Sequence, residues 1–341
     1  MSAGFPDSGV AVAARAERVY TSACMGRSIL LLMLGLLGGC GQSLSRSEYV
    51  RIRMGTQARI VLYAADEALA AQAAAAAFER IEQLEAVLSD WRVESEVARL
   101  RAAPPDVWHQ VSPDLDQALQ ISLGVRRATG GAFDPACGRM SSSWRRSREQ
   151  GEPPVEWTEV VSQVGSPGER VQARSGEVRF CRPVPWLDFG GIGKGLAADA
   201  AVATIRDHGI EATLVDIGGD LAIGGPPPGQ AGWSVWLLAG EAPLVLSECG
   251  VATSGSGEQH NAGRSHIIDP RTGRWMSRHG DVTVIAPSGA IADAMASAGC
   301  VIGAASLQDA VSVKDGVIVL APNLSKPERG CQVGSSGQET R

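Results

Sequence analysis

Three short stretches of the chain bring together residue types suited to handling phosphate. The first, WLDFGGIGKGLAADAA from Trp186 to Ala201, sets four glycines and Lys194 between a strand-like approach and a helix-like exit. A glycine turn that opens a helix offers backbone amides and the positive end of the helix dipole to an anion, and a lysine adds charge. The second, SGAIADAMASAGC, places Asp293 and Ser297 four residues apart, on one face of a predicted helix. A carboxylate and a hydroxyl so placed offer oxygen to a hard cation such as magnesium, which takes few protein ligands when phosphate supplies the rest. The third, ATSGSGEQHNAGRSHIIDPRTGR, carries His266 ahead of an apolar pair and an Asp269-Pro270 turn closed by Gly273. An imidazole there suits a base or a phosphate contact.

Each stretch alone also has a plain reading: a tight turn with a solvated lysine, a capping aspartate, a surface histidine. The glycine turn matches neither familiar phosphate loop. A P-loop needs glycine where Asp188 stands and Ser or Thr where Gly195 follows the lysine. A dinucleotide fingerprint needs GxGxxG early in a βαβ unit, whereas this is GxGxG deep in the chain.

The elements that must hold these residues are legible from periodicity. YVRIRMGTQARIVLYA alternates as a strand or hairpin. Asp66 to Asp90 reads as an alanine-rich helix with Phe78, Ile81, Leu84, Val87 and Leu88 at helical spacing. A second helix starts at Ser112, with Pro113 in its first turn, and stops at Gly130-Gly131. Gly195 to His208 and Ala290 to Gly303 read as helices; Thr213 to Ile217, Trp233 to Leu238, Val282 to Ala286 and Val317 to Leu320 read as strands, with a turn at 218–220. Residues 139–155 are basic, polar and irregular, which predicts a surface loop. Helices and strands in irregular alternation predict an α+β, or mixed α/β, fold.

The 341-residue chain is long enough for a large core. At its start, MGRSILLLMLGLLGGC combines Arg27, an apolar run from Ile29 to Leu37 and small residues before Cys40, the layout of a signal peptide. Leu37 to Cys40 looks like a bacterial lipobox, so residues 1–39 read as a signal peptide, with Met25 the natural start, and Cys40 as the lipidated residue of a 40–49 tether. Residues 50–321 form the domain, and the aperiodic 322–341 tail reads as disordered. Removing 1–39 takes the net charge from −6 to −7, an acidic balance that argues against a nucleic-acid partner. The remaining cysteines, Cys137, Cys181, Cys249, Cys300 and Cys331, have no zinc-site spacing.

Taken in order, MGT at 54–56, LSDWRVESEVARL at 88–100, GGAFDP at 130–135, LDFGGIGKGLAAD at 187–199, VDIGGDL at 215–221, ATSG…HIIDPRTG at 252–273 and ADAMASA at 292–298 resemble the ApbE-type FAD:protein FMN transferases. The resemblance implies that family's fold, with mostly antiparallel sheets and packed helices. It implies that FAD binds with its pyrophosphate on Mg2+, that an acceptor threonine or serine hydroxyl attacks the FMN-side phosphorus, and that AMP leaves. It implies a metal held by Asp293, Ser297 and the Gly191 carbonyl, and a flavin nucleotide contacted by Met54, Trp91, Ala132, Phe133, Asp134, Asp188, Lys194 and Ile268. His266 becomes the candidate base. The implied acceptor is an exported subunit of a membrane redox complex, of the sodium-translocating NADH:quinone reductase or Rnf type, or a related regulator. With the lipid anchor, the implied place is the periplasmic side of a bacterial membrane, the inner membrane favoured. FAD pyrophosphatase and non-catalytic FAD-binding lipoprotein remain alternatives. The segment after Asp134, PACGRMSSSWRRS, lacks the family's usual Gly-Pro-Leu run.

Overall fold

A computed structural model describes residues 43–237, 242–255, 260–261, 263–276, 280–311 and 316–321. The expected signal peptide, the expected lipidation site Cys40 and the expected disordered tail over 322–341 lie outside these.

Seven strands form the main sheet, and their spatial order is their order in the chain: β1 (Ser45–Arg53), β2 (Thr56–Ala64), β3 (Thr213–Ile217), β4 (Asp220–Ile223), β5 (Cys249–Ser254), β6 (Val282–Ala286) and β7 (Ile318–Leu320). Every neighbouring pair is antiparallel. Alternation along β2 explains its two faces. Ala58, Ile60, Leu62 and Ala64 enter the helix-side core, while Val61 joins Leu214, Ile223, Val251 and Ile285 on the opposite face. That second face is covered by a hairpin of Trp233–Val235 and Leu244–Leu246.

Five helices matter for the site. Helix α1 (Glu67–Leu88) starts where Asp66 accepts from Leu69 N at 2.8 Å, and buries Ala70, Ala73, Ala74, Ala77, Phe78, Ile81 and Leu84. That spacing makes one apolar stripe, whose small residues allow close packing on the helix over 193–207. Helix α2 (Pro113–Ala128) is capped by Ser112, α3 spans Gly138–Gln150, α4 spans Gly193–Asp207 and α5 spans Gly289–Ile302, capped by Ser288.

The topology sets one functional end. The β1–β2 turn, the β3–β4 turn, the exit of β5 and the start of β6 all lie at the same end of the meander. Helix α4 runs back to the start of β3 and so begins at that end. Both turns have two central residues with positive φ, Met54 (53°) with Gly55 (74°) and Gly218 (60°) with Gly219 (94°), the geometry that suits the right-handed twist of a hairpin.

Three expectations change. Strand β1 starts at Ser45, inside the expected 40–49 tether: nine residues of β1 pair in register with β2. The expected loop over 139–155 is a helix to Gln150, ended by Gly151 in the left-handed conformation. Its buried Met140, Trp144 and Ser147 sit at helical spacing, too sparse a stripe among arginines and serines to read as amphipathic. The strand expected over 233–238 is only Trp233–Val235.

Candidate active site

The glycine turn works by letting backbones touch. A β-carbon on Gly195 would stand 2.1 Å from Gly289 O, and one on Gly250 would stand 2.1 Å from Gly289 N. Glycine at these crossings lets α4, α5 and β5 meet without side chains between them. Two carboxylates then span the α4–α5 contact. Asp293 on α5 accepts from Gly195 N at 3.2 Å, and Asp199 on α4 accepts from Gly289 N at 2.7 Å and Ala290 N at 2.9 Å.

Around this joint the expected metal residues converge. A β-carbon on Gly191 would be 3.0 Å from Ser297 Oγ and 3.3 Å from Phe133 Cε2. Ser297 Oγ is also 3.3 Å from Ser254 Oγ at the end of β5. Met54 lies over the start of α4, its Cε 3.5 Å from a β-carbon on Gly193. Its left-handed backbone is held by Glu85 on α1, whose carboxylate accepts from Met54 N at 3.0 Å and pairs with Arg92 at 2.8 Å. Ala132 and Phe133 are buried, and the backbone N–H of Phe133 donates to Thr129 Oγ1 at 3.3 Å.

Buried acids gather at this joint. Asp293 is 3% exposed. Burial raises its pKa, against the pull of Lys194 and the Gly195 N–H. Asp220 pairs with Lys194; burial first, and Asp293 second, push its carboxyl up to about 7. Burial likewise pushes Asp199 up to about 6, opposed by the two α5 amides. Asp293 and Asp220 thus lie near one lysine, with Asp199 next to Asp293; a cation at this joint would offset the repulsion among them. Among the described residues no three His, Cys, Asp or Glu side chains cluster as metal ligands. A metal here must draw on hydroxyl, carbonyl and phosphate oxygens, and Asp293, Ser297 and Gly191 fit a hard, oxygen-seeking cation.

A second wall closes the site. The N–H of Asp188 donates to Pro135 O at 2.7 Å, and its Oδ1 accepts from Gly190 N at 2.7 Å. Ile268 is buried with Met140, Trp144, Val161 and Trp275. His266 is exposed and meets the Trp144 ring edge-on, centroids 6.0 Å apart. Trp91 is 59% exposed beside the buried Asp90.

Not every expected residue points at the turn. The Asp134 carboxylate faces inward, accepting from Ala136 N, Ser166 Oγ, Gly168 N and Arg126 Nε. Four donors make it an anchor for its loop, and its segment meets the site through Phe133. The Lys194 ammonium is on Asp220, and its side chain is half-buried. Sequence reasoning assigned no role to Glu85, Asp199, Asp220 or Ser254. Asp199 and Asp220 stand inside recognised motifs, but their partners are 90 and 26 residues distant.

Residues 54–320 match the model of the ApbE family. The chain belongs to the ApbE family. Among ApbE relatives, the FAD:protein FMN transferase of Treponema pallidum is 30% identical over 307 residues, covering 81% of this chain and 84% of that protein. The solved ApbE protein of Thermotoga maritima superposes with a TM-score of 0.69 at 25% identity, covering 81% of this chain and 94% of that one. The flavin transferase ApbE of Vibrio cholerae gives 0.69 at 23% identity, covering 82% and 93%. The mixed α+β architecture with antiparallel sheets is therefore the ApbE fold.

Proposed function

We propose that the chain is a Mg2+-dependent FAD:protein FMN transferase, which moves FMN from FAD onto a threonine or serine hydroxyl of an exported or membrane-attached redox protein. The observation that carries this reading is the convergence of Gly191, Asp293 and Ser297 beside Lys194 at the start of α4. Family membership adds the chemistry: the Treponema pallidum relative bears the name of this activity.

Phosphoryl transfer needs positioning and charge neutralisation more than covalent help from the protein. When bound, Mg2+ would neutralise the pyrophosphate oxygens, held by Asp293, Ser297 and the Gly191 carbonyl. The positive end of α4 steadies the same phosphates, with Lys194, paired to Asp220, adding positive charge beside them. Met54, Phe133, Asp188 and Ile268 bound the flavin nucleotide, and exposed Trp91 offers a ring face at the rim. The acceptor oxygen forms a bond to the FMN-side phosphorus as the bond to the AMP phosphate breaks. His266 takes the hydroxyl proton; its exposed position on Trp144 suits a base that meets a protein substrate from outside.

The lipobox reading supports a lipid anchor at Cys40 on the periplasmic side of the membrane. The chain enters β1 at Ser45, at the end of the sheet remote from the Met54 turn. Nine strand residues span roughly 30 Å, so such an anchor leaves the site facing away from the bilayer, toward extramembrane acceptor domains.

The test is to mix the chain with FAD, Mg2+ and an exported flavoprotein domain bearing an acceptor threonine, recording the acceptor's intact mass and released AMP. A gain of one FMN with matching AMP is expected, lost in Asp293→Ala. AMP without acceptor gain would instead assign FAD hydrolysis, and FAD binding with neither product would assign a binding protein.

A further inference from the structure

Helix α3, the segment expected to be a loop, is fixed to the site at its first residue. Gly138 N donates to Trp186 O at 2.9 Å, and a β-carbon on Gly138 would stand 2.8 Å from the carbonyl oxygens of both Trp186 and Leu187. Its start is therefore locked against the segment that carries Asp188. Two turns on, Arg145 reaches back to the same place. Its guanidinium bonds the Asp90 carboxylate and stands 3.7 Å from Asp188 Oδ2.

Those two carboxylates need a shared cation. Asp90 is 3% exposed, and burial first, then repulsion from Asp188, raise its pKa, opposed by Arg145 and Arg101. Arg101 reaches Asp90 at 3.6 Å, and is itself stacked on Trp186 at 4.6 Å. Arg145 is the residue that touches both acids. With Gly190 N on one Asp188 oxygen and Arg145 beside the other, the carboxylate is constrained from two sides.

We propose that Arg145 is a positioning residue of the FAD site, holding the Asp188 carboxylate in the orientation that meets the nucleotide. This rests on the transferase reading above. Arg145 acts through Asp188, so its effect must vanish when Asp188 can no longer respond.

The experiment is FAD binding, read by calorimetry on the full chain in detergent, for wild type, Arg145→Gln, Arg145→Lys, Asp188→Asn and the Arg145→Gln/Asp188→Asn pair. Arg146→Gln, an exposed neighbour on the same helix, is the control. Arg145→Gln is expected to weaken FAD about tenfold, the scale of a charge-assisted contact, and Arg145→Lys to restore part of it. In the Asp188→Asn background, Arg145→Gln is expected to add less than about twofold, the signature of coupled groups. Affinity within about twofold of wild type, a full additive loss in the pair, or an equal loss in Arg146→Gln would overturn the positioning role alone. If Arg145→Gln fails to fold, Arg145→Lys decides: weaker FAD with normal melting supports the role, and unchanged affinity overturns it. Absence of FAD binding by the wild type would overturn the flavin reading, and the positioning role with it.

Discussion

The two walls of the site are built on opposite principles. The inner wall, α4 against α5, is largely backbone on backbone: Gly195 and Gly289 let the helices touch, Gly250 brings β5 onto Gly289, and buried Asp199 and Asp293 stitch the helices together. Apart from Gly138 against the Trp186 and Leu187 carbonyls, the outer wall meets the site through side chains. There α3 carries Trp144 against His266 and Trp275, and Arg145 against Asp90 and Asp188. The inner wall has one way to pack, which suits fixed phosphate and metal ligands. The outer wall is adjustable in residue type, which suits recognition of a flavin or an acceptor protein.

The contrast breaks most severely at Gly195. Gly195→Ala forces a methyl against the Gly289 carbonyl, so α4 and α5 must separate. We expect a loss of about 2–4 kcal/mol in stability, together with loss of FAD transfer, checked by denaturant unfolding and the mass assay.

Asp293→Asn separates chemistry from packing. Burial already disfavours the charged form of this carboxyl, so unfolding should change little, while transfer falls by at least about a hundredfold. A matching collapse in stability would show the acid to be mainly structural.

Asp199 gives the inner wall a pH signature. Its folded pKa, about 6, lies above the ordinary 3.8, so the fold favours the protonated form. Its contribution to stability is full below about pH 4 and is lost as pH rises through about 6. Asp199→Asn should flatten that part of the stability profile, seen as a smaller difference between urea midpoints at pH 4.5 and pH 7 than in wild type.

The smallest effect sharpens the outer wall. Trp91 is 59% exposed, so Trp91→Ala should leave stability within about 0.5 kcal/mol while weakening FAD by a few-fold. Calorimetry beside a thermal melt reads both. Unchanged FAD affinity would remove Trp91 from the site.

Much of the inner wall was legible because its signals are local. Asp66, Ser112 and Ser288 cap the helices that follow them; the 3.6-residue stripe of α1 and the period-two placement of Ala58, Ile60, Leu62 and Ala64 in β2 mark their helix-side faces. The four-residue spacing of Asp293 and Ser297 places both on one helix face whatever surrounds it. Helix α3 reads as a loop from sequence because Met140 and Trp144, its two large buried side chains, give almost no stripe among arginines and serines.

What the sequence by itself determined is therefore most of the main strands and helices, though not α3, and which residues have the chemistry to meet phosphate and metal. Tertiary structure alone decided which of them meet. It put Gly195 beside Asp293 across 98 residues of chain, turned the Asp134 carboxylate inward to four donors, gave Lys194 to Asp220, and set Arg145 between Asp90 and Asp188, 55 residues from the first of these. Propensity and periodicity act over a turn or two of backbone, whereas these contacts arise only when the whole sheet and its helices have closed on a shared core.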